Sequence, residues 1–360
     1  RTWGIKMENK KQVTVSIIIA TYNSEKILPK VLQAVRRQSF PQEELEILTV
    51  DGGSPDRTKE LAAKYGCRII DNPKTEPVHA KLLGVQNAKG KYLLFLDHDE
   101  VLVNKDSIKT TIEAMQKHPE CKNAFCSGYK RPRSYPLLNQ YLNDFGDPFS
   151  LFVYNSTKDA RFFGKMLKKN FDLVEEKKEY FVISFARMQK DIIMELCCLG
   201  TIIDIEYFRE TTNILTNPMD LVQLFYIMLE QGKTRVIVSK KDPLLHYSVD
   251  SLKAYLPKLK WRICNNVHFP EKSEMGFSGR QKYQKNAALR KYLFVPYAVC
   301  FPISLLHGIG LAVSRKNVVY LLHPVLCLYV VLQIALQMGL KLMGIVPRFR
   351  SYDGKEKIDR

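Results

Sequence analysis

The sequence lacks paired cysteines and an amino-terminal targeting segment. Eight cysteines are scattered over 360 residues with no CxxC spacing, which argues against a zinc site and against a disulfide framework. The apolar stretch from Val13 to Ala20 is too short and too strand-like for the core of a signal peptide. We therefore expect reduced thiols and a first domain that stays on the cytoplasmic side.

Acidic residues are few relative to basic ones. Lys and Arg number 55 against 37 Asp and Glu, a net charge of +18, which suits a nucleic acid, a nucleotide or an anionic membrane face. The sequence has no aromatic and basic motif for nucleic-acid recognition. Fourteen basic and four acidic residues lie between Gln231 and Lys291, immediately before an apolar run, and such a segment gains about 1 kcal/mol per basic residue beside an anionic leaflet. We expect membrane lipid, and no nucleic acid, as a partner.

The first half of the chain alternates between short β-rich runs and helical patterns. This rhythm predicts βαβ units and a Rossmann-like, mostly parallel sheet. The predicted strands are 15–20, 46–50, 67–71 and 91–96, and the predicted helices are 24–37, 56–65 and 77–88. The segment 121–180 has no readable pattern, whereas 220–231 has the apolar spacing of a helix that ends near Gly232.

Two carboxy-terminal runs, 292–313 and 317–340, have no Asp, Glu, Lys or Arg. Each is near the ~20 residues that cross a bilayer as a helix, so a membrane hairpin with both ends in the cytoplasm is the simplest prediction. Arg315 and Lys316 in the turn, and three prolines in the runs, favour an interfacial or re-entrant pair; a buried soluble core is the third alternative. The expected division is a tail (1–12), an α/β domain (13–240), a basic juxtamembrane segment (241–291), two membrane helices (292–346) and a cytoplasmic tail (347–360).

Carboxylates follow the apolar strand 91–96 as Asp97-His98-Asp99. Ligands of open α/β sheets bind beyond the carboxyl ends of the strands, and two acids there can hold Mg²⁺ or Mn²⁺ against phosphate oxygens. A polar loop after a strand is the alternative interpretation. Two other strands end in Thr21-Tyr22-Asn23 and Asp51-Gly52-Gly53, so three strand ends should line one crevice.

At this point the sequence resembles inverting glycosyltransferases of family 2, which have the GT-A fold. The matching pieces, spread over about the first 120 residues, are Val15 to Asn23, Val50 to Thr58, His79 to Gly84 and Asp97 to Asp99. The resemblance implies a divalent cation, Mg²⁺ or Mn²⁺, at Asp99 and Asp97. It also implies that the donor nucleotide is bound by Thr21, Tyr22, Asn23, Asp51, Lys81 and Asp97, with Lys81 near the phosphates.

The family's catalytic base is a carboxylate at the start of a helix that ends in glycine. Asp220 fits this description by resemblance, although Met219 replaces the acid that usually precedes it. Glu206 and Asp204 are the rival candidates, and an N-cap role for Asp220 is the plainer alternative. His246 lies in a segment similar to one in membrane-linked members, which makes it a further candidate metal ligand or a structural histidine.

The expected function is transfer of a sugar from a nucleotide-diphosphate donor to a membrane-linked acceptor, with inversion at the anomeric carbon. That acceptor would be a polyprenyl phosphate or a lipid-linked saccharide in cell-surface glycan synthesis. Two alternatives are a polysaccharide synthase subunit and a membrane-tethered binding protein with an inactive transferase fold.

Overall fold

A computed structural model describes residues 12–187, 196, 198–269 and 285–347 of the chain. The strands are β1 (Val15–Thr21), β2 (Leu45–Asp51), β3 (Arg68–Asp71), β4 (Tyr92–Asp97), β5 (Glu100–Leu102), β6 (Asn123–Phe125), β7 (Tyr129–Lys130), β8 (Asp172–Glu176), β9 (Tyr180–Ser184), β10 (Ile202–Asp204), β11 (Arg235–Ser239) and β12 (Leu244–His246). The helices are α1 (Leu28–Arg36), α2 (Thr58–Lys64), α3 (Pro77–Asn87), α4 (Ser107–Lys117), α5 (Leu137–Phe145), α6 (Pro148–Tyr154), α7 (Phe163–Asn170), α8 (Ile205–Thr211), α9 (Pro218–Glu230), α10 (Leu252–His268), α11 (Lys285–Val299), α12 (Phe301–Arg315) and α13 (His323–Leu342). Short 3₁₀ turns lie at Gln42–Glu44 and Val318–Leu322.

The first half of the sheet is parallel, in the order β3-β2-β1-β4. Every residue of β1 is buried because the strand is paired on both edges and α3 packs on one face. Gly84 of α3 allows this packing, since a Cβ atom there would lie 2.4 Å from Ile18 Cγ2. The predicted β and α elements of this half are present, with bounds that differ by four residues at most.

The second half of the sheet is not parallel. The full order is β3-β2-β1-β4-β10-β6-β11-β9-β8, and four of its eight pairings, those of β10 with β4 and β6 and of β9 with β11 and β8, are antiparallel. The prediction of a mostly parallel sheet is therefore corrected to a mixed one. A mixed α/β sheet followed by carboxy-terminal helices is the GT-A-like architecture that the resemblance implied.

A small second sheet lies beyond the carboxyl end of β4. Its order is β5-β12-β7, and β5 begins one residue after Asp99. The antiparallel register of β12 and β5 pairs His246 with Glu100. The sheet thus brings a histidine from late in the chain to the edge where the first strands end.

The carboxy-terminal helices form a layer on α5, α6 and α10. The first apolar run is not one straight helix, because α11 and α12 meet at Cys300 with a bend of 99°. Over the described residues one helix, Val318–Leu342, is long and apolar enough to cross a membrane by length and composition, and a second span is possible only if the bent pair counts as one. The predicted tails, 1–12 and 347–360, lie outside the described residues apart from residues 12 and 347.

The turn between the two apolar runs is attached to the α/β domain. Arg315 Nε lies 3.5 Å from Asp144 Oδ2, and the Arg315 guanidinium lies 3.9 Å from the centre of the Phe162 ring. A hairpin across a hydrocarbon core about 30 Å thick would carry that turn to the far side of the bilayer. The turn in this structure therefore lies against the α/β domain, and both the spanning hairpin and the interfacial pair stay predictions.

Candidate functional site

Asp97 and Lys81 form the centre of the site. Asp97 ends β4 in register with Ala20 of β1, and Lys81 lies in the first half of α3. Lys81 Nζ is 2.8 Å from Asp97 Oδ1, with 5% of the Lys81 side chain and 33% of the Asp97 side chain exposed. A buried ammonium group thus lies beside Asp97, and its predicted place near the phosphates stays a prediction.

Asp99 and His246 form a second pair beside the first. His246 Nε2 lies 3.6 Å from Asp99 Oδ2, and the Tyr247 N–H donates to the Asp99 carbonyl at 2.8 Å. Burial lowers the pKa of His246 and outweighs the opposing charges of Asp99 and Asp97, so the imidazole is neutral at pH 7. A neutral imidazole nitrogen close to a carboxylate is a pair that can share one cation.

A buried acid lies behind these two pairs. Glu100 is fully buried, accepts the Asp97 N–H at 3.1 Å, and accepts a hydrogen bond from the Tyr129 hydroxyl. Burial, followed by the negative charge of Asp97, raises the pKa of Glu100 to about 8. Burial thus favours the protonated, uncharged form of Glu100.

Asp51 organises the loops at the ends of β1 and β2. Its carboxylate is fully buried and accepts four hydrogen bonds, from Thr21 Oγ1, Gly53 N–H, Ser54 N–H and Ser54 Oγ. A carboxylate has about four acceptor sites, so these four hydrogen bonds occupy all of them. Asp51 therefore shapes the loop, and its predicted contact with the donor nucleotide stays a prediction.

The other predicted donor-side residues lie in the same pair of loops. The Tyr22 N–H donates to Ser24 Oγ at 3.2 Å, and the Asn23 N–H donates to Ser54 Oγ at 2.9 Å. Thr21 and Asp51 are directly opposite in the β1 and β2 register. Because adjacent strands are about 4.8 Å apart, the end of β1 lies about 5 Å and the end of β2 about 10 Å from the end of β4, where Asp97 lies.

Asp220 lies at the start of α9 with both carboxylate oxygens engaged. Oδ2 accepts the Asn213 N–H and Oδ1 accepts Asn217 Nδ2, each at 2.8 Å, while Asn217 is the N-cap residue. The loop before α9 contacts the last turn of α3 through Leu215 O and Gln86 Nε2 at 2.6 Å. The described hydrogen bonds and ion pairs of Asp220 close a helix start and do not join it to Asp97 or Asp99.

The rival bases are at the wrong end of the sheet. Because β10 runs antiparallel to β4, Asp204 pairs with Tyr92 at the amino end of β4, about 16 Å along the strand from Asp97. Glu206 follows there and lies 3.7 Å from Lys91. Neither Asp204 nor Glu206 can act at the site formed by Asp97 and Asp99, which corrects their nomination.

The donor set at the site fits a hard divalent cation. Asp97 and Asp99 offer carboxylate oxygens and His246 offers a neutral nitrogen, and Mg²⁺ or Mn²⁺ completes such a set with phosphate oxygens and water. Among the described residues, no group of three or more His, Cys, Asp or Glu is already arranged to enclose a metal ion. A bound nucleotide diphosphate would therefore supply part of the coordination.

Three residues of the site were missed from the sequence: Glu100, Tyr129 and Asn143. Asn143 Oδ1 lies 2.8 Å from His246 Nδ1, and the Tyr129 ring stacks on the His246 ring with centroids 4.3 Å apart. Tyr129 and Asn143 lie in the segment that had no readable pattern. The sequence offered one signal for these residues: Glu100 directly follows the paired acids and begins the alternating pattern of β5.

The "Glycosyl transferase family 2" model matches residues 16–188 of the chain. The chain is 29% identical over 109 residues to the poly(ribitol-phosphate) beta-N-acetylglucosaminyltransferase TarS of Staphylococcus aureus, over 29% of this chain and 19% of that protein. It is 37% identical over 111 residues to the dolichyl N-acetyl-alpha-D-glucosaminyl phosphate 3-beta-D-2,3-diacetamido-2,3-dideoxy-beta-D-glucuronosyltransferase of Methanococcus voltae, over 29% of this chain and 34% of that protein. The matched part thus spans a fifth to a third of these relatives.

Solved structures superpose over most of the chain. A crystal structure of residues 1–349 of TarS in complex with UDP-GlcNAc gives a TM-score of 0.46 at 16% identity, over 96% of this chain and 97% of that one. The mannosyltransferase PcManGT of Pyrobaculum calidifontis, in complex with GDP-Man and Mn²⁺, gives 0.49 at 13% identity, over 93% and 90%. With the family match and the site residues at the sheet edge, residues 16–188 of the chain belong to glycosyltransferase family 2, a family of enzymes.

Proposed function

We propose that this protein is a metal-dependent, inverting glycosyltransferase that moves a sugar from a nucleotide-diphosphate donor to a membrane-linked acceptor. The observation that carries the proposal is the convergence of Lys81, Asp97, Asp99 and His246 at the carboxyl edge of the sheet. This edge is where open α/β sheets bind their ligands. Asp97 and Asp99, with His246, would hold the cation, which would neutralise charge on the departing diphosphate.

Lys81 has a role that does not depend on the cation. Its ammonium group is almost fully buried, so its charge is screened less than that of a surface lysine. A leaving nucleoside diphosphate gains negative charge as the glycosidic bond breaks, and a fixed positive group nearby stabilises that charge. Asp97 holds Lys81 in place until the diphosphate binds.

Asp220 is the proposed base, on the basis of the family resemblance and its place at the start of a helix that ends before Gly232. A base must come within hydrogen-bond reach of the acceptor hydroxyl on the face opposite the leaving group. The substitution Asp220→Asn keeps the shape of the side chain and one of its two acceptor oxygens but removes the basic carboxylate. We expect turnover to fall about 100-fold while donor binding persists; a near-normal rate would leave Asp220 only its structural role at the start of α9.

The membrane partner is supported by the outer face of the carboxy-terminal layer. Large apolar side chains there are at least half exposed: Leu289, Tyr292, Val299, Leu306, Val313, Val325, Leu332 and Leu342. An exposed apolar face of this extent is rare on soluble monomers, whereas helices that lie in a bilayer interface present such a face. We propose that the layer lies in the cytoplasmic leaflet rather than crossing it.

The neighbour of α13 supports an interfacial position. Helix α10 lies along α13, with contacts from Tyr329 OH to Leu256 O at 3.2 Å and from Lys341 Nζ to Val267 O at 2.6 Å. The same helix has Lys253, Lys258, Lys260 and Arg262, which are costly at the centre of a bilayer and favourable beside anionic headgroups. An acceptor whose lipid tail lies in that leaflet would present its head group close to the site, at a raised effective concentration.

The test is donor turnover by purified full-length protein across a panel of nucleotide sugars that includes UDP-GlcNAc and GDP-mannose, with Mn²⁺, Mg²⁺ or EDTA. We expect one donor to release its nucleoside diphosphate only when a divalent cation is present, and faster when a lipid phosphate acceptor is added. Release that is equal in EDTA would contradict the metal role. No turnover and no nucleotide binding with any donor would favour the inactive binding protein.

A further inference from the structure

The His246 ring is held on three sides, two of them by residues that the proposed mechanism does not use. Asn143 contacts Nδ1, Tyr129 stacks on the ring face, and Asp99 lies opposite Nε2. We propose that Asn143, supported by Asn139, is a positioning residue that fixes His246 as the Nδ1–H tautomer and directs the Nε2 lone pair toward Asp99. The functional meaning of this tautomer rests on the proposed cation role of His246, but the tautomer itself does not.

The direction of each hydrogen bond follows from one carbonyl group. Asn139 Nδ2 lies 3.4 Å from the Val249 carbonyl and 3.1 Å from Ser248 Oγ. A carbonyl can only accept, so the Asn139 amide nitrogen must face it and the Asn139 Oδ1 must face the other way. Asn143 Nδ2 donates to that oxygen at 2.9 Å, which leaves Asn143 Oδ1 as the acceptor for His246 Nδ1 at 2.8 Å.

Helix α5 keeps this relay rigid. Asn139 and Asn143 are four residues apart, so their side chains lie on the same face of the helix, one turn from each other. Both are fully buried, and a buried amide that lost its partner would cost about 1 to 3 kcal/mol. A flip of one amide alone would place like groups opposite each other within the relay, and a flip of both would place the Asn139 oxygen opposite the Val249 carbonyl.

Tyr129 fixes the ring plane. The two rings are stacked at an interplanar angle of 26°, and the Tyr129 hydroxyl donates to Glu100, whose other oxygen accepts the Asp97 N–H. Rotation of the imidazole would therefore break its stacking with Tyr129. The orientation of His246 is coupled in this way to the backbone between Asp97 and Glu100.

The separation of His246 and Asp99 agrees with this tautomer. A protonated Nε2 facing a carboxylate would form a charge-assisted hydrogen bond of about 2.7 to 2.9 Å, whereas the observed distance is 3.6 Å. The Nε2 lone pair and the Asp99 carboxylate repel each other, so the two groups stay apart unless a cation lies between them. Outer-shell partners of this kind commonly change metal affinity by about 10-fold to 100-fold.

The experiment is ¹⁵N NMR of the imidazole nitrogens in the full-length protein without nucleotide, with the His246 signals assigned from a His246→Gln variant. In the wild-type protein we expect Nδ1 protonated and Nε2 unprotonated. An Nε2–H tautomer in the wild type would overturn the proposal without any other variant. This first measurement does not depend on transferase activity.

Variants then test whether Asn143 determines the tautomer of His246. Asn143→Leu removes the acceptor and should give a mixed or inverted tautomer with Mn²⁺ affinity about 10-fold to 100-fold weaker. Asn143→Asp keeps an acceptor and should retain the Nδ1–H form. Gln140→Leu is the matched control, because Gln140 lies in the same helix and bonds Asp159 instead; its His246 signals should not change.

Two outcomes separate this inference from the proposed function. Unchanged His246 signals and Mn²⁺ affinity in Asn143→Leu would contradict the positioning role even if the enzyme transfers sugar. The Nδ1–H tautomer in the wild type, lost in Asn143→Leu and retained in Asn143→Asp, would support it even if no Mn²⁺ binds, in which case the proposed metal role alone would fail.

Discussion

The carboxyl edge of the sheet and the carboxy-terminal layer use carboxylates in opposite ways. At the edge, Asp97 is one-third exposed, and its ionic partner in the described structure is Lys81. Beneath the layer, Asp144 of α5 is fully buried and contacts Arg315 and the hydroxyl groups of Tyr320 and Thr157. The carboxylate at the edge thus keeps an exposed side, whereas the carboxylate that attaches the helices is enclosed by protein groups.

The first prediction removes a carboxylate at the sheet edge, Asp99, two residues after Asp97. Asp99→Ala should lower donor turnover about 1,000-fold, because loss of a metal ligand removes several kcal/mol of charge stabilisation in the transition state, while the unfolding midpoint stays close to that of the wild type. Steady-state nucleotide release and urea unfolding check both parts. Asp71→Ala is the matched control, because Asp71 ends β3 at the same edge but is an exposed partner of Lys59. Normal turnover in Asp99→Ala would remove the metal role.

The second prediction removes the closed carboxylate. Asp144→Asn leaves the Arg315 guanidinium, with 14% of its side chain exposed, buried without its ion pair. Breaking a buried pair on one side costs about 3 kcal/mol or more, so the urea midpoint should fall while the donor KM of the folded fraction stays the same. Glu60→Gln, which breaks an exposed pair with Lys64, should change the stability by less than about 1 kcal/mol. Equal effects of the two substitutions would refute the anchoring role of Asp144.

The third prediction concerns a buried carboxylate that has a hydroxyl partner rather than a cation. Asp242 accepts from Ser107 Oγ at 2.5 Å, and burial raises the pKa of Asp242 to about 6, from 3.8. Between these values the folded state binds more protons than the unfolded state, so stability falls as pH rises from about 4 to about 6 and is constant above that. The loss is about 3 kcal/mol at 1.36 kcal/mol per pKa unit.

Asp242→Asn should lack this decline. The measurement is the difference in unfolding free energy between the variant and the wild type across pH 4 to 7, in which the other titrating groups cancel. A difference that does not change with pH would show that Asp242 ionises normally in the folded protein.

The smallest effect is expected at the apolar face of the layer. Leu306→Glu with Val313→Glu places two charges on side chains that are 68% and 73% exposed, and should weaken binding to anionic vesicles about 30-fold, since two lost apolar contacts at about 1 kcal/mol each remove about 2 kcal/mol. Turnover of the soluble donor should not change. Leu173→Glu on the exposed edge strand β8 is the control for an added charge. Unaltered vesicle binding of the double variant would contradict the proposed membrane face.

The same two regions differ in how much could be predicted from the sequence. The elements around β1 and β4 follow from local patterns, because an apolar strand paired on both sides and an amphipathic helix have distinct periodicities. The positions of Asp97 and Asp99 at one edge follow from the parallel order. The antiparallel direction of β10 has no local signal in the sequence. Asp204 and Glu206 were therefore considered as catalytic bases, although they lie at the opposite end of the sheet from Asp97.

Contacts between distant parts of the chain account for the other differences. His246 and Asn143 are 103 residues apart, and Arg315 and Asp144 are 171 positions apart in the sequence. Composition indicated that the runs 292–313 and 317–340 are apolar, but it could not show that the turn between them is bonded to the α/β domain. Burial of a charged pair depends on tertiary packing, and a hydropathy pattern does not contain that information.

The most direct test of the account is sugar transfer to one lipid phosphate acceptor presented in two ways, with Mn²⁺ and the donor that the panel identifies. The acceptor is embedded in anionic vesicles or supplied as a short-chain, water-soluble analogue at the same total concentration. We predict metal-dependent transfer that is at least 10-fold faster to the vesicle acceptor, with the advantage lost in the Leu306→Glu and Val313→Glu variant. Equal rates for both forms, or transfer that persists in EDTA, would contradict a metal-assisted site that works beside a lipid surface.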